Sequence, residues 1–447
     1  MQRYLIKNIS IINEGEIRNS DILFDNERIE KIGIISEFKG AVSEIDGSGK
    51  YLIPGIIDDH VHFREPGYSE KGTIYTESKA AVAGGITSYM EMPNTQPPAL
   101  TQGLLEDKYL LASKNSFANY SFYMGVSNDN LQEVLKTNLK INSVCGVKIF
   151  MGSSTGNMLV DNLLTIEEIF KNCELLIATH CEDECLINEN LKRVKNRKEH
   201  SISIFDHPII RNEEACYNSS FSAVQLAKKH GARLHILHIS TEMELKLFSS
   251  ILPLKDKRIT SEVCVHHLYF TSEDYKVYGN LIKCNPSIKE SFNKTALWKG
   301  VNDGSLDVIA TDHAPHKWDE KQLPYLNAPS GIPLVQYALP MMLECYKNGL
   351  ISLEMIVNKM CHGPAECFRI RERGFIREGY YGDCVIIDLD QGKQVKKEEI
   401  LYKCGWSPFI NHYFTSVITH TFINGHLVYG NGHWYESKKG ARLLFSR

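Results

Sequence analysis

Two histidines separated by one residue close the segment Tyr51-Leu-Ile-Pro-Gly-Ile-Ile-Asp-Asp-His-Val-His62. On a strand, residues two apart point to the same side, so His60 and His62 can present two imidazoles to one ion. An isolated pair of this kind is equally an ordinary loop feature. Other strand-like stretches end in the same way: Leu176-Ile-Ala-Thr-His180, His235-Ile-Leu-His238, and Val308-Ile-Ala-Thr-Asp312, followed by His313-Ala-Pro-His316. If those ends meet, four histidines and one carboxylate surround a common centre, a nitrogen and oxygen donor set suited to zinc or a similar divalent ion. Lys148 adds an unexpected cation inside the apolar run Gly146-Val-Lys-Ile-Phe150. A buried ammonium beside metal ions is penalised by both desolvation and like-charge repulsion. It pairs with a buried carboxylate, or it snorkels outward, or carbon dioxide carbamylates it into a carboxylate that bridges two ions. In the third case His60, His62 and Asp312 serve one ion and His180 and His238 the other.

Convergence of these ends needs a particular scaffold. Between about residues 50 and 365, eight short apolar stretches alternate with helical segments: Leu52 to Asp58, Ile86 to Met92, Tyr120 to Val126, Val144 to Phe150, Leu175 to His180, Leu234 to Ile239, Ile259 to Val263 and Leu306 to Thr311. Strand then helix, repeated eight times, is the pattern of an α/β, TIM-like (β/α)8 barrel, whose strand carboxyl ends share one face. A doubly wound open sheet is the alternative. Short alternating stretches such as Asp21-Ile-Leu-Phe24 and Thr421-Phe-Ile-Asn-Gly-His-Leu-Val428 predict antiparallel strands at both ends of the chain. The expected organisation is therefore residues 1–53 and 366–447 forming one composite β-sandwich beside a barrel over 54–365.

The bulk numbers agree with a cytoplasmic enzyme of this size. The 447 residues are 43% hydrophobic and 23% charged, which supports a sizeable core and excludes global disorder. A net charge of -4 gives no electrostatic reason to expect a nucleic-acid or acidic-membrane partner. No run reaches about 18 apolar residues, and the first residues do not read as a signal peptide. The 12 cysteines form no close CxxC pair and read as free thiols.

These residues fall within longer motifs that resemble those of the cyclic amidohydrolases of the dihydroorotase type. The resemblance runs through Pro54-Gly-Ile-Ile-Asp-Asp-His-Val-His-Phe-Arg-Glu-Pro-Gly67, Gly84-Gly-Ile-Thr87, Met92-Pro-Asn-Thr95, Lys148-Ile-Phe-Met-Gly-Ser-Ser-Thr-Gly156, His180-Cys-Glu182, His238-Ile-Ser240, Asp312-His-Ala-Pro-His316 and Gly405-Trp-Ser-Pro-Phe409. It implies a homodimeric, zinc-dependent enzyme acting on a small molecule. The reaction implied is reversible hydrolysis of dihydroorotate to N-carbamoyl-L-aspartate in pyrimidine biosynthesis, by a metal-bridging hydroxide with Asp312 as general acid and base. Lys148 corresponds to the family's N6-carboxylated bridging lysine, a position where many long bacterial dihydroorotases carry aspartate. Arg64, Asn94 and His316 correspond to a substrate-carboxylate site, and Asn285 to a ring contact. Allantoinase is the closest rival reading, with hydantoinase or dihydropyrimidinase behind it; hydantoinases typically lack the Arg64 and His316 equivalents.

Several residues depart from the family pattern or stay outside the scheme. Ser287 and Lys289 replace Pro and Arg in Lys283-Cys-Asn-Pro-Ser-Ile-Lys289, Pro333 stands where glycine is usual, and Gln336 where threonine is common. His266 and His267 follow strand seven, but no ligand position remains for them in a two-ion scheme. His207, His230 and His362 are expected at loops and helix ends, and Gly152 to Gly156 as a turn over the active site.

Overall fold

The computed structural model describes residues 3–36, 40–152, 158–197, 201–436 and 438–447. Eight parallel strand positions build the barrel: Ile56–Val61, Ile86–Glu91, Asn119–Phe122 continuing into Met124–Gly125, Val147–Phe150, Ile177–His180, Leu234–Ile236, Ile259–Cys264 and Val308–Ala310. Neighbours pair in parallel in that order, and the ring closes where His62 N donates to His313 O at 2.7 Å, beside the Val61 and His313 bridge. Almost every residue of these strands is buried, as a parallel sheet covered by helices requires. Capping sets the helix ends: Asn212 accepts from Ala215 N before Glu213–His230, and Gly231 ends that helix in the left-handed region at φ 66°.

Strands from both ends of the chain form a second, mostly antiparallel sheet of nine strands. Arg3–Asn13, Glu16–Asp25 and Arg28–Gly33 lie on one side of Tyr51–Pro54, and Cys384–Asp388, Val417–Ile423 and His426–Gly430 on the other. The seam is the antiparallel register Cys384 to Pro54 through Ile387 to Tyr51. Period-two alternation divides its side chains between two cores. Leu52, Cys384 and Ile386 pack with Tyr4, Ile22 and Phe24 inside the small domain, whereas Ile53, Val385 and Ile387 join the main barrel core.

The stretch Leu52 to Asp58, expected as one strand, divides at Gly55. Tyr51–Pro54 enters the terminal sheet and Ile56–Val61 the barrel. A Cβ on Gly55 would lie 2.1 Å from Thr87 Oγ1, so only glycine lets the chain pass this close to the second barrel strand while changing sheets. Among the described residues, no helix is long and apolar enough to cross a membrane.

Candidate metal centre

Strand alternation at the end of the first barrel strand brings His60 Nε2 and His62 Nε2 each to 3.2 Å from Asp312 Oδ1. These three ligand atoms lie within 4.8 Å of one another, all from buried residues. The opposite ring nitrogens are held from behind. His60 Nδ1 is 3.0 Å from Glu262 Oε1, and His62 Nδ1 is 2.8 Å from Asn94 Oδ1. A carboxylate only accepts, so His60 donates from Nδ1 to Glu262, and a metal ion taking the place of the Nε2 proton that faces Asp312 would find the ring already oriented. Burial favours the protonated form of the Asp312 carboxyl, but the adjacent His60 and His62 outweigh it and hold its pKa well below the usual carboxylate value.

The fifth and sixth barrel strands supply a second group. His180 donates from Nε2 to Glu182 Oε2 at 3.0 Å, and Arg211 also bonds Glu182, which leaves His180 Nδ1 as a lone pair 2.9 Å from His238 Nε2. Burial pushes both imidazoles down, His238 farthest, so both are neutral at physiological pH. Two neutral rings converging this way suit a shared cation. Arg64, His238 and Asp312 all adopt positive φ, at 71°, 41° and 47°. Such a conformation is costly away from glycine and is tolerated where the surroundings dictate it.

Lys148 is fully buried, and its Nζ has no hydrogen-bond partner among the described residues. It lies 4.6 Å from the centre of the Phe150 ring, and burial pushes its amine down to about 7. No described carboxylate forms an ion pair with it, and it does not reach solvent. An orphaned, partly neutral amine among imidazoles fits a side chain completed by carbon dioxide and a divalent ion, since only the free amine forms a carbamate.

All ten residues nominated from sequence line one cavity of about 290 Å³. Arg64 donates from Nε to Pro315 O at 3.0 Å, and its Nη2 lies 3.0 Å from His316 Nε2. Two carboxylates near it in sequence are engaged elsewhere: Glu65 accepts from Ile74 N, and Asp59 pairs with His235. A buried guanidinium without a carboxylate partner among the described residues is a ready receptor for an anion. Asn94 lines the cavity but spends its Oδ1 on His62, while Asn285 Oδ1 accepts from Ser330 Oγ at 3.0 Å. Ser153 to Gly156, most of the turn expected over the site, lies outside the described residues.

Of the residues left outside the scheme, His266 and His267 are buried in the short helix Val265–Tyr269 and are not among the residues that line the cavity. His207 begins one helix and His230 ends another, while His362 closes the π-turn Asn358–His362. Lys289 is buried on Ser240 Oγ and Ser287 O, and Gln336 binds Glu399 O and Leu401 N, tying the barrel to the C-terminal segment.

Glu262 was not foreseen. It accepts from His60 Nδ1 and from His238 N, so one carboxylate steadies a ring in one group and the backbone of the other. Its signal was available: like Lys148, it is a charge inside a buried strand. Glu262→Gln should lower metal affinity and kcat/KM by about 10- to 100-fold, since an amide cannot enforce the Nδ1–H tautomer so strongly. Metal retained after chelator dialysis is the measurement; wild-type retention would remove Glu262 from this role.

Comparison with known proteins extends the likeness over nearly the whole chain. The amidohydrolase family profile matches residues 51–428. Dihydroorotases from Methanosarcina acetivorans and Staphylococcus aureus are each 33% identical, over 90% and 91% of this chain and 87% and 95% of their own lengths. The L-hydantoinase (dihydropyrimidinase) of Arthrobacter aurescens superposes with a TM-score of 0.93 at 25% identity, covering both chains completely. A D-hydantoinase from Thermus shares the fold, with a TM-score of 0.84 at 24% identity over 98% of this chain and 97% of its own. Because the match takes in the barrel, its metal-competent strand ends and much of the terminal sheet, the chain belongs to the amidohydrolase family, as a cyclic amidohydrolase.

Proposed function

We propose that the protein is a dihydroorotase that holds two zinc ions, one on His60, His62 and Asp312, the other on His180 and His238, with N6-carboxylated Lys148 shared between them. The observation that carries the substrate assignment is Arg64, a buried guanidinium with no carboxylate partner among the described residues, beside His316 in the cavity wall. Dihydroorotate brings a ring carboxylate for that site, whereas dihydrouracil brings none.

When bound, the ions would lower the pKa of water and polarise the scissile carbonyl. Asp312, ionised at neutral pH, accepts the proton that water gives up as the C–O bond forms and returns it to the ring nitrogen as the C–N bond breaks. The same residue serves both directions, as reversible hydrolysis requires. Arg64 and His316 fix the carboxylate, and Asn285 supports the ring, so the scissile amide is presented in one orientation.

The superposition on the L-hydantoinase favours a second reading, a hydantoinase-type enzyme, and allantoin is a third substrate to exclude. Parallel assays of zinc-loaded protein on dihydroorotate, dihydrouracil and allantoin decide among them. Dihydroorotate should be strongly preferred. Arg64→Met should lower kcat/KM for dihydroorotate by about a hundredfold or more, the order expected for truncating one partner of a buried charge pair. Any residual turnover of uncharged dihydrouracil should hardly change. Equal losses on both substrates would sink the carboxylate assignment.

A further inference from the structure

One wall of the catalytic cavity is a loop, Ala328-Pro329-Ser330-Gly331, with no regular secondary structure to hold it. Two buried lysines do so instead. Lys321 Nζ donates to Pro329 O and Gly331 O, both at 2.9 Å, and to Lys283 O at 3.2 Å. Lys283 Nζ donates to Tyr325 O and Ala328 O, both at 2.6 Å. Gly331 N returns a bond to Lys283 O at 2.8 Å, so the loop and the two amines form one closed network.

The chemistry of the network is unusual for structural lysines. Lys321 is 1% exposed and has only carbonyl partners, while the neighbouring carboxylate of Glu320 is engaged by Lys71 at 2.8 Å. A buried ammonium without a counterion is costly, and an apolar side chain of the same length would avoid that cost. What the amine supplies is geometry. An ammonium has three N–H donors, and all three carbonyls within reach belong to the wall loop or to the residue that braces it. In a planar trans peptide, the C=O and the following N–H point in opposite directions. Holding Pro329 O on Lys321 therefore turns Ser330 N–H to the other side of the loop. That N–H has no acceptor among the described residues, and Ser330 lines the cavity, its carbonyl 3.0 Å from His316 Nε2.

We propose that Lys321 and Lys283 are positioning residues for the reaction: a two-lysine clamp that presets the 328–331 wall, so that backbone groups meet the ring of a cyclic amide without a closing motion. Neither lysine handles a proton or an ion in this scheme. Lys321 acts entirely through the loop, and Lys283, which also lines the cavity, braces it by spending its amine on Tyr325 O and Ala328 O. The inference rests on the reading that this cavity binds a cyclic amide, and it is indifferent to which one.

The test uses the full-length, zinc-loaded protein and its Lys321→Met and Lys283→Met variants, each assayed with whichever of dihydroorotate, dihydrouracil and allantoin the wild type hydrolyses best. The clamp predicts a rise in KM of about tenfold or more, with kcat within about threefold. Metal content should match the wild type, and amide exchange in residues 322–334 should be faster. A purely structural role would lower thermal stability or metal content and leave KM unmoved. Unchanged KM and unchanged exchange in a folded, metal-replete variant overturn the proposal, as does a loss confined to kcat. If Lys321→Met does not fold, Lys283→Met decides on the same criteria. If the wild type hydrolyses none of the three amides, the functional reading fails by itself, and the exchange measurement still decides the clamp.

Discussion

Lys148→Met should give a protein that folds at least as well as the wild type and has lost about a thousandfold or more of its activity. The two effects separate because the amine makes no hydrogen bond among the described residues and lies fully buried. Removing it strands no partner, and methionine fills nearly the same volume with an apolar chain, so thermal stability should hold or rise. Activity should collapse because His60, His62, His180, His238 and Asp312 would have to gather two like charges with no anionic ligand shared between them. A factor of a thousand corresponds to about 4 kcal/mol of lost transition-state stabilisation. Lys148→Ala supplies the sharper version, since truncation leaves room beside Phe150. Added acetate or propionate should restore part of the metal content and activity if the missing group is a carboxylate, and should do nothing in Lys148→Met, where the space is filled. Full activity in the Met variant would refute a bridging role, and absence of rescue in the Ala variant would count against the carboxylated form.

The same lysine shows what could be read from the chain alone and why. His60, His62, Lys148, His180, His238 and Asp312 were visible because each interrupts or ends an apolar strand, and a barrel sends all such ends to one face. One-dimensional periodicity carries that information directly. The choice between barrel and open sheet was not in the periodicity; it rests on the Val61 and His313 closure, a contact between residues about 250 positions apart. Gly55 escaped for a related reason: two strands of different sheets, joined end to end, read as one apolar run until the approach of Thr87 is known. Glu262 and the lysine clamp depend on tertiary hydrogen bonds, and nothing in local spacing says that a strand glutamate will find His60 or that Lys321 will face Pro329 and Gly331. Side-chain type on a known element was legible; the partner behind each side chain was not.

Asp312→Asn isolates proton transfer from assembly of the site. Asparagine keeps the shape and one oxygen facing His60 and His62, so the site can still form, but it cannot accept a proton at neutral pH. General acid and base groups contribute about 10²- to 10⁴-fold, and kcat should fall by an amount in that range, while KM stays close to the wild-type value. Loss of the negative charge also removes what offsets the burial of His60 and His62, so metal content must be measured beside the rate and the comparison made per bound ion. The pH profile gives an independent signature. The Asp312 carboxyl has a lowered pKa, so its base form persists well into acid and disappears only as pH falls through that low value. Wild-type kcat should therefore lose its base on the acid side at a pH well below the ordinary carboxylate range, and the Asn variant's residual rate should lack that limb. A variant that binds metal fully and keeps kcat within tenfold of wild type would reduce Asp312 to a ligand and require another group to carry the proton.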